Sequence, residues 1–414
     1  MDKKSFAIVI LAALVQYYDY HLFGFMAVKI SHLFFPSNSP VESLSKAYFI
    51  IFLSYLTKPF GAILLGRIGD VVNKSAALTV SLVCTSLASL VISFIPTYET
   101  WGVASIFILI IARMVTSSCV GPGTDGIRLY IFEHITLKRR YLGEGCTTAS
   151  CLLGSFIAAS SASFFSSSSA PIYGWRIAFF IGFLMGVALV VIKHFFPIHY
   201  PALQNTYQEN TNDKHLGILA ITKKYWRLFI LGAITSGTIG ASYQFLTIFW
   251  GQYNADILNI IANDVVFYYL PYIIILFMVG SILSGVVCDS MGSNFSASLG
   301  FFAIVIILAS SLIALNAEKF YIFNYLSIGL MLPFLINPAH VSLKRVIPIS
   351  VRHRVYSLSH SIGSICISGS TSFVATKLYQ YSNLKFLPLL YFALIITSMF
   401  LSFKALNKIH ISLN

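Results

Sequence analysis

Asp19, Lys58 and Arg113 are charged residues set inside long apolar stretches of a 414-residue chain. A charge within a membrane span costs at least about 2.5–3.5 kcal/mol on insertion scales, so such groups face a bundle interior or a water-filled cavity. Counting along each stretch puts the three at similar depth, with Asp19 about 13 residues in, or roughly 20 Å along a helix. One carboxylate facing two cations has two readings. It is either a proton-sensitive cluster, whose cations a substrate carboxylate competes for, or a neutralised pair locking helices together. Gln16, Asp19, Tyr20 and Phe23 recur at i, i+3, i+4 and i+7 and so share a helix face. That face is expected to look into a cavity, with Tyr17 and Tyr18 flanking it. Its rings suit a zwitterion or methylated ammonium through cation–π contact, or serve packing alone.

Asp125 and Arg128, at i and i+3, can pair locally, or Arg128 can add an anion site. Glu133 lies close in sequence to Arg139 and Arg140 and reads as half of a structural or gating ion pair. In the second half of the chain, Tyr243, Gln244, Asn337, His340 and His360 are polar groups within apolar stretches. His360 could titrate near neutral pH or be a hydrogen-bonded packing residue. Gly66-Arg-Ile-Gly-Asp70 and Gly285-Val-Val-Cys-Asp289 use one device twice: Asp four residues after Gly, where an apolar run ends in a tight polar turn. Asp70 and Asp289 are expected to act as latches. Each would accept backbone N–H bonds at a neighbouring helix start and pair with a base, such as Lys74 or Arg140 for Asp70. No His, Cys, Asp or Glu cluster has metal-ligand spacing, and no nucleophile sits beside a base. The expectation is no metal, no cofactor and no enzymatic activity.

Such residues require a membrane bundle to position them. Charged residues make up 10% and hydrophobic residues 57%, with mean hydropathy +0.81, against about 25% charged in soluble proteins. The apolar runs predict an all-α membrane protein of twelve transmembrane helices. They fall at about 6–28, 47–66, 75–95, 102–134, 142–165, 176–196, 228–250, 265–287, 295–316, 320–340, 355–377 and 386–405. Reuse of the helix-to-turn device predicts two six-helix halves, 1–202 and 227–414, that alternate access to a central site. A polar linker, 203–226, joins them. The Ser-rich run 160–169 reads as a loop. The net charge of +13 gathers on one side, in residues such as Lys138, Arg139, Arg140, Lys223, Lys224, Lys344, Arg345, Arg352 and Arg354. That asymmetry is the positive-inside pattern, not a nucleic-acid surface, and puts both termini in the cytoplasm. Lys3-Lys4 and the apolar run after it lack a small-residue cleavage site and read as a retained first helix. The six cysteines read as packing residues.

Several stretches carry a family likeness. Gln16-Tyr-Tyr-Asp19-Tyr-x-Leu-Phe-Gly24, Lys58-Pro-Phe-Gly61-Ala, Gly66-x3-Asp70, Arg113 with Glu133 and Arg139-Arg140, Gly174-Trp-Arg-Ile-Ala-Phe179 and Ile347-Pro-x3-Arg352 occur in order along nearly the whole chain. In this the sequence resembles the metabolite–proton symporter branch of the major facilitator superfamily. It departs from that pattern at Gln16, where the family has Glu, at Gly121-Pro-Gly123, where it has Gly-Gly-Glu, at Asn73, and at Gly292-Ser-Asn. The resemblance implies a multi-pass inner-membrane carrier that works as a monomer. Its partners would be a small solute, protons and the lipid bilayer. The solute would be a small organic acid or zwitterion of the proline, betaine or dicarboxylate kind. Asp19 would be the coupling carboxylate, with Gln16, Lys58, Arg113, Tyr20, Asp125, Arg128, Tyr243, Gln244 and His360 as further candidates. Gly66, Asp70, Lys74, Glu133, Arg140, Gly285 and Asp289 would form the gate. The departures at Gln16 and Gly123 keep open an uncoupled facilitator or exchanger, and a non-transporting sensor is the alternative of another class.

The charge asymmetry yields a direct expectation. In a chain freed of its six native cysteines, impermeant thiol reagents should reach a cysteine placed at Ser167 only from outside. One placed at Asn210 should react only from inside. Labelling at Asn210 in intact cells would reverse the orientation.

Overall fold

The computed structural model describes residues 3–37, 39–71, 74–134, 136–167, 170–196, 218–348 and 351–413. Within them the chain forms the twelve spans of a helical bundle. The first half holds α1 (Lys3–Phe25, continued by Ala27–Phe34), α2 (Pro40–Tyr55 and Lys58–Val71), α3 (Lys74–Phe94), α4 (Val103–His134), α5 (Arg140–Ser166) and α6 (Gly174–Phe195). A short helix, Ile218–Lys224, precedes the second half. That half holds α7 (Trp226–Gln244, continued by π-helical turns at Phe245–Trp250 and Tyr253–Ile257), α8 (Asn263–Met291), α9 (Ser293–Asn316) and α10 (Ile322–Val346). It closes with α11 (Arg352–Gly363, a π-helical turn at Ser364–Ser368, then Thr371–Ser382) and α12 (Leu387–Leu413). Nine of the described helices are each long and apolar enough to cross a membrane. The interrupted α1, α7 and α11 complete the set.

The helices outrun the apolar runs that announce them. α2 begins at Pro40 rather than near 47, because its first turns carry Glu42 and Lys46, which pair at 2.6 Å on the exposed surface. α10 runs to Val346, so Lys344 and Arg345 belong to its last turn and not to a loop. The Ser-rich run is helical as far as Ser166, where a loop was expected, because Ala158, Ala159 and Ala162 bury one face of that helix completely. The linker region also ends in helix: Ile218–Lys224 falls inside it, while 203–217 lies outside the described residues. Gly66, Asp70, Lys74 and Glu133 fall among residues whose side chains are not described, so the first latch is left open.

Breaks in the helices are matched by side chains that bond the affected backbone. Pro338 inside α10 has no N–H for the carbonyl of Phe334, and Ser296 Oγ of α9 donates to that carbonyl at 3.0 Å. In the widened turns of α7, Tyr325 Oη donates to the Leu246 carbonyl at 3.0 Å and Tyr48 Oη to that of Ile248 at 3.2 Å. Membrane interiors tolerate such breaks only where neighbouring helices supply these partners.

The halves meet through α5 against α8 and α2 against α11. Small residues permit the closest approach. A Cβ at Gly145 of α5 would collide with the Ser281 carbonyl of α8, and one at Gly285 of α8 would stand 2.7 Å from Leu142 Cα. Gly61 plays the same part within the first half, against the Ser118 carbonyl of α4. Arg140, Lys344 and Arg352 gather around the Phe132 ring at 4.5, 5.5 and 5.7 Å, which defines a basic end of the bundle.

The two kinds of glycine contact should separate on mutation. Gly145→Ala should push the halves apart and raise thiol accessibility at the basic end. Gly61→Ala should strain one half internally by about 1–3 kcal/mol and lower the melting temperature of the purified protein. Equal effects of both changes on accessibility would show that the α5–α8 contact is not a separable interface.

Candidate functional site

A cavity of about 150 Å³ lies where the halves meet, walled by α1, α2, α4 and α5 on one side and α7, α8, α10 and α11 on the other. The break in α2 positions one of its cations, Lys58. Thr57 Oγ1 donates to the Met114 carbonyl of α4 at 2.9 Å, and the helix restarts at Lys58. Lys58 Nζ then lies 3.8 Å from the centre of the Tyr55 ring and 5.1 Å from that of Tyr20. Arg128 also lines the cavity and donates from Nη2 to Tyr17 Oη at 2.7 Å. Arg113 lies 4.5 Å from the Phe23 ring centre and donates from Nη2 to the Tyr20 carbonyl at 3.4 Å; its Nε and Nη1 have no partner. On the far wall, Tyr55 Oη donates to Gln244 Oε1 at 3.4 Å. The Tyr243 ring packs edge-on against His21, 5.1 Å between centres.

On α1 and α4 the structure places several of these residues away from the expected partners. Gln16 and Asp19 do not line the cavity, although Tyr20 does. Gln16 Nε2 donates to Ser81 Oγ of α3 at 2.7 Å. Asp19, 1% exposed, accepts from Ser89 Oγ of α3 at 2.7 Å and packs against Gly182 of α6, where any side chain would collide with its carboxylate. Its Oδ2 has no partner, and no ion pair within 4.0 Å joins it to Arg113 or Lys58. The shared face is real, but neighbouring helices of the same half cover most of it. Nor does Asp125 pair with Arg128. Both Asp125 oxygens lie 2.8 Å from His360 Nδ1, so α4 of one half bonds directly to α11 of the other.

A buried ion pair also links the halves, through Glu144, which sequence reasoning passed over. Lys344 Nζ donates to Glu144 Oε2 at 2.6 Å, with side chains 0% and 2% exposed, and His340 Nδ1 stands 3.2 Å from Glu144 Oε1. A signal existed, since Glu144 falls inside the apolar run 142–165, where a carboxylate demands a partner. His21 was also missed. It lies between Tyr20 and Tyr243 and meets Ser155 Oγ at 2.8 Å.

Links bracket the cavity toward both ends. At the basic end Asp289 accepts the N–H groups of Tyr141 and Leu142 at 3.2 and 3.0 Å, across the halves and in the first turn of α5. Those donors have no partner within their own helix, and the helix dipole favours an anion there. Gly292, at φ +91°, supplies the left-handed turn that carries the chain from Asp289 into α9. Toward the opposite end, Tyr48 Oη donates to Gln252 Oε1 at 2.9 Å, and Gln252 Nε2 donates to the Phe25 carbonyl at 3.3 Å.

Known proteins share this architecture. A profile of the major facilitator superfamily matches residues 7–371. A citrate-proton symporter of Klebsiella pneumoniae is 24% identical over 395 residues, covering 90% of this chain and 85% of the relative. A proline/betaine transporter of Escherichia coli is 22% identical over 408 residues, covering 94% and 80%. Among solved structures, the partially occluded inward-open form of the xylose transporter XylE from E. coli superposes with a TM-score of 0.71 at 12% identity, covering 98% of both chains. The proton:xylose symporter XylE bound to 6-bromo-6-deoxy-D-glucose gives 0.70 at 13%, covering 98% of this chain and 95% of that one.

The buried pair sets a test. Glu144→Gln leaves Lys344 buried and uncompensated, at a cost of about 3–5 kcal/mol, and should lower the melting temperature markedly. Glu144→Gln with Lys344→Met removes both charges and should recover most of the loss. A double variant no better than the single one would mean the two charges are not coupled.

Proposed function

The chain belongs to the major facilitator superfamily, and on that premise we propose that it is a proton-coupled symporter of a small organic acid or zwitterion. It works in the inner membrane, with the basic end and both termini in the cytoplasm. The observation that carries this reading is the cavity between the halves, walled by both and bracketed by links that cross between them. Rocking one half against the other breaks the links at one end while those at the other hold, which is alternating access. The relatives' names bracket the solute, one a citrate-proton symporter and the other a proline/betaine transporter.

Asp19 is the coupling carboxylate in this scheme. It is buried, holds one hydroxyl bond to Ser89 and has a free oxygen, with no cation among the described residues within 4.0 Å to neutralise it. A proton on Asp19 removes that charge and lets α1 shift against α3 and α6. Asp289, by capping α5, holds the cytoplasmic face shut. Asp70 occupies the corresponding turn of the first half and is assigned the same duty.

Asp19→Asn should abolish uptake driven by a pH gradient in reconstituted vesicles, for whichever of proline, glycine betaine and citrate the wild-type protein accumulates. Counterflow of the labelled solute should persist, because exchange moves no net proton. Undiminished gradient-driven uptake would remove Asp19 from the mechanism and favour the uncoupled carrier or the Asp125–His360 contact.

A further inference from the structure

The charge and aromatic surfaces of the cavity discriminate between the two solute classes. We infer that the site takes a small carboxylate anion and not a solute with a fixed quaternary ammonium, an assignment that rests on the transporter reading above. Lys58, Arg113 and Arg128 line the cavity, and no Asp or Glu does so among the described residues. The acids nearby are already engaged. Asp125 is bonded by His360, Glu144 by Lys344, and Asp19 faces Ser89 outside the cavity wall. No carboxylate among the described residues lies within 4.0 Å of the three lining cations.

The aromatic faces lead to the same assignment. A methylated ammonium needs a ring face or a carboxylate to replace its hydration. Among the rings that line the cavity, Tyr55 and Tyr20 lie under Lys58 and Tyr17 beside Arg128, so a protein cation already sits against each of them. Tyr243 and Phe277 also line it and pack edge-on against each other, with 5.5 Å between ring centres. Arg113, itself 2% exposed, retains two unpartnered donors, Nε and Nη1. Buried donors of this kind are costly unless an acceptor arrives. A carboxylate is such an acceptor and takes a charge-assisted bond from either donor. A second carboxylate on the same solute would meet Lys58 or Arg128.

The purified full-length protein should therefore gain thermal stability from citrate or succinate at low millimolar concentration, and none from glycine betaine or choline. Lys58→Gln and Arg128→Gln should each weaken that effect about tenfold or more, as loss of a charge-assisted bond does. Arg128→Lys, which keeps the charge, should retain part of it and guards against a variant that merely misfolds. Gradient-driven uptake of the same solutes into vesicles separates the two proposals. Stabilisation by citrate or succinate without any uptake upholds the anion site and defeats the symporter reading. Stabilisation by glycine betaine or choline, or by neither carboxylate, overturns the anion assignment.

Discussion

A buried charge is costly without a counterpart, and in this bundle the counterpart repeatedly sits on the other half of the molecule. Glu144 and Lys344 come from α5 and α10, and both are almost wholly removed from solvent. Asp125 and His360 come from α4 and α11. Asp289 of α8 is bonded instead by the N–H groups that open α5. Each of these groups is stranded in low dielectric when the halves part, unless water reaches it as they do. The interface therefore favours discrete arrangements over graded ones.

That constraint explains why other features are where they are. Direct bonds between α5 and α8 need the helices to touch, which Gly145 and Gly285 permit by having no side chain. The widened turns of α7 and α11 fall beside the cavity, and Ser364 and Ser368 of α11 line it. Irregular backbone of this kind survives inside a membrane only where it borders a polar space or another helix. On the opposite side, Tyr48 and Gln252 join α2 and α7 with neutral hydrogen bonds. Neutral groups cost less to separate and rehydrate than a buried ion pair, so the two ends differ in the chemistry that holds them.

Pairing elsewhere also decides what is left for cargo. Once the acids near the cavity are committed, Lys58, Arg113 and Arg128 remain with rings and carbonyls as their partners. The proposed anion site is thus partly defined by subtraction, as the charges that folding did not use. Asp19 stands apart from it, held against α3 and α6 by Ser89 and the space at Gly182. In the proposed scheme a proton on Asp19 would act on the packing of one half rather than on the cavity wall, and would separate coupling from binding by a layer of helix.

By itself the sequence determined the class of the molecule, since the length of an apolar run that spans a membrane is set by the bilayer's thickness alone. The order of its short motifs pointed to the family, and polarity within apolar runs marked Lys58, Arg128, Tyr243, Gln244 and His360, all of which line the cavity. Periodicity grouped Gln16 and Asp19 with Tyr20, but it cannot say which neighbour a face meets, and α3 took the first two. For the same reason the local pair Asp125–Arg128 looked plausible until α11 brought His360 to 2.8 Å and α1 brought Tyr17 to Arg128. Lys344 read as a loop residue because charge ends an apolar run, yet the helix continued and buried it against Glu144. Which charges meet across a distance of half the chain is settled by how the two halves dock, and no spacing within either half encodes that.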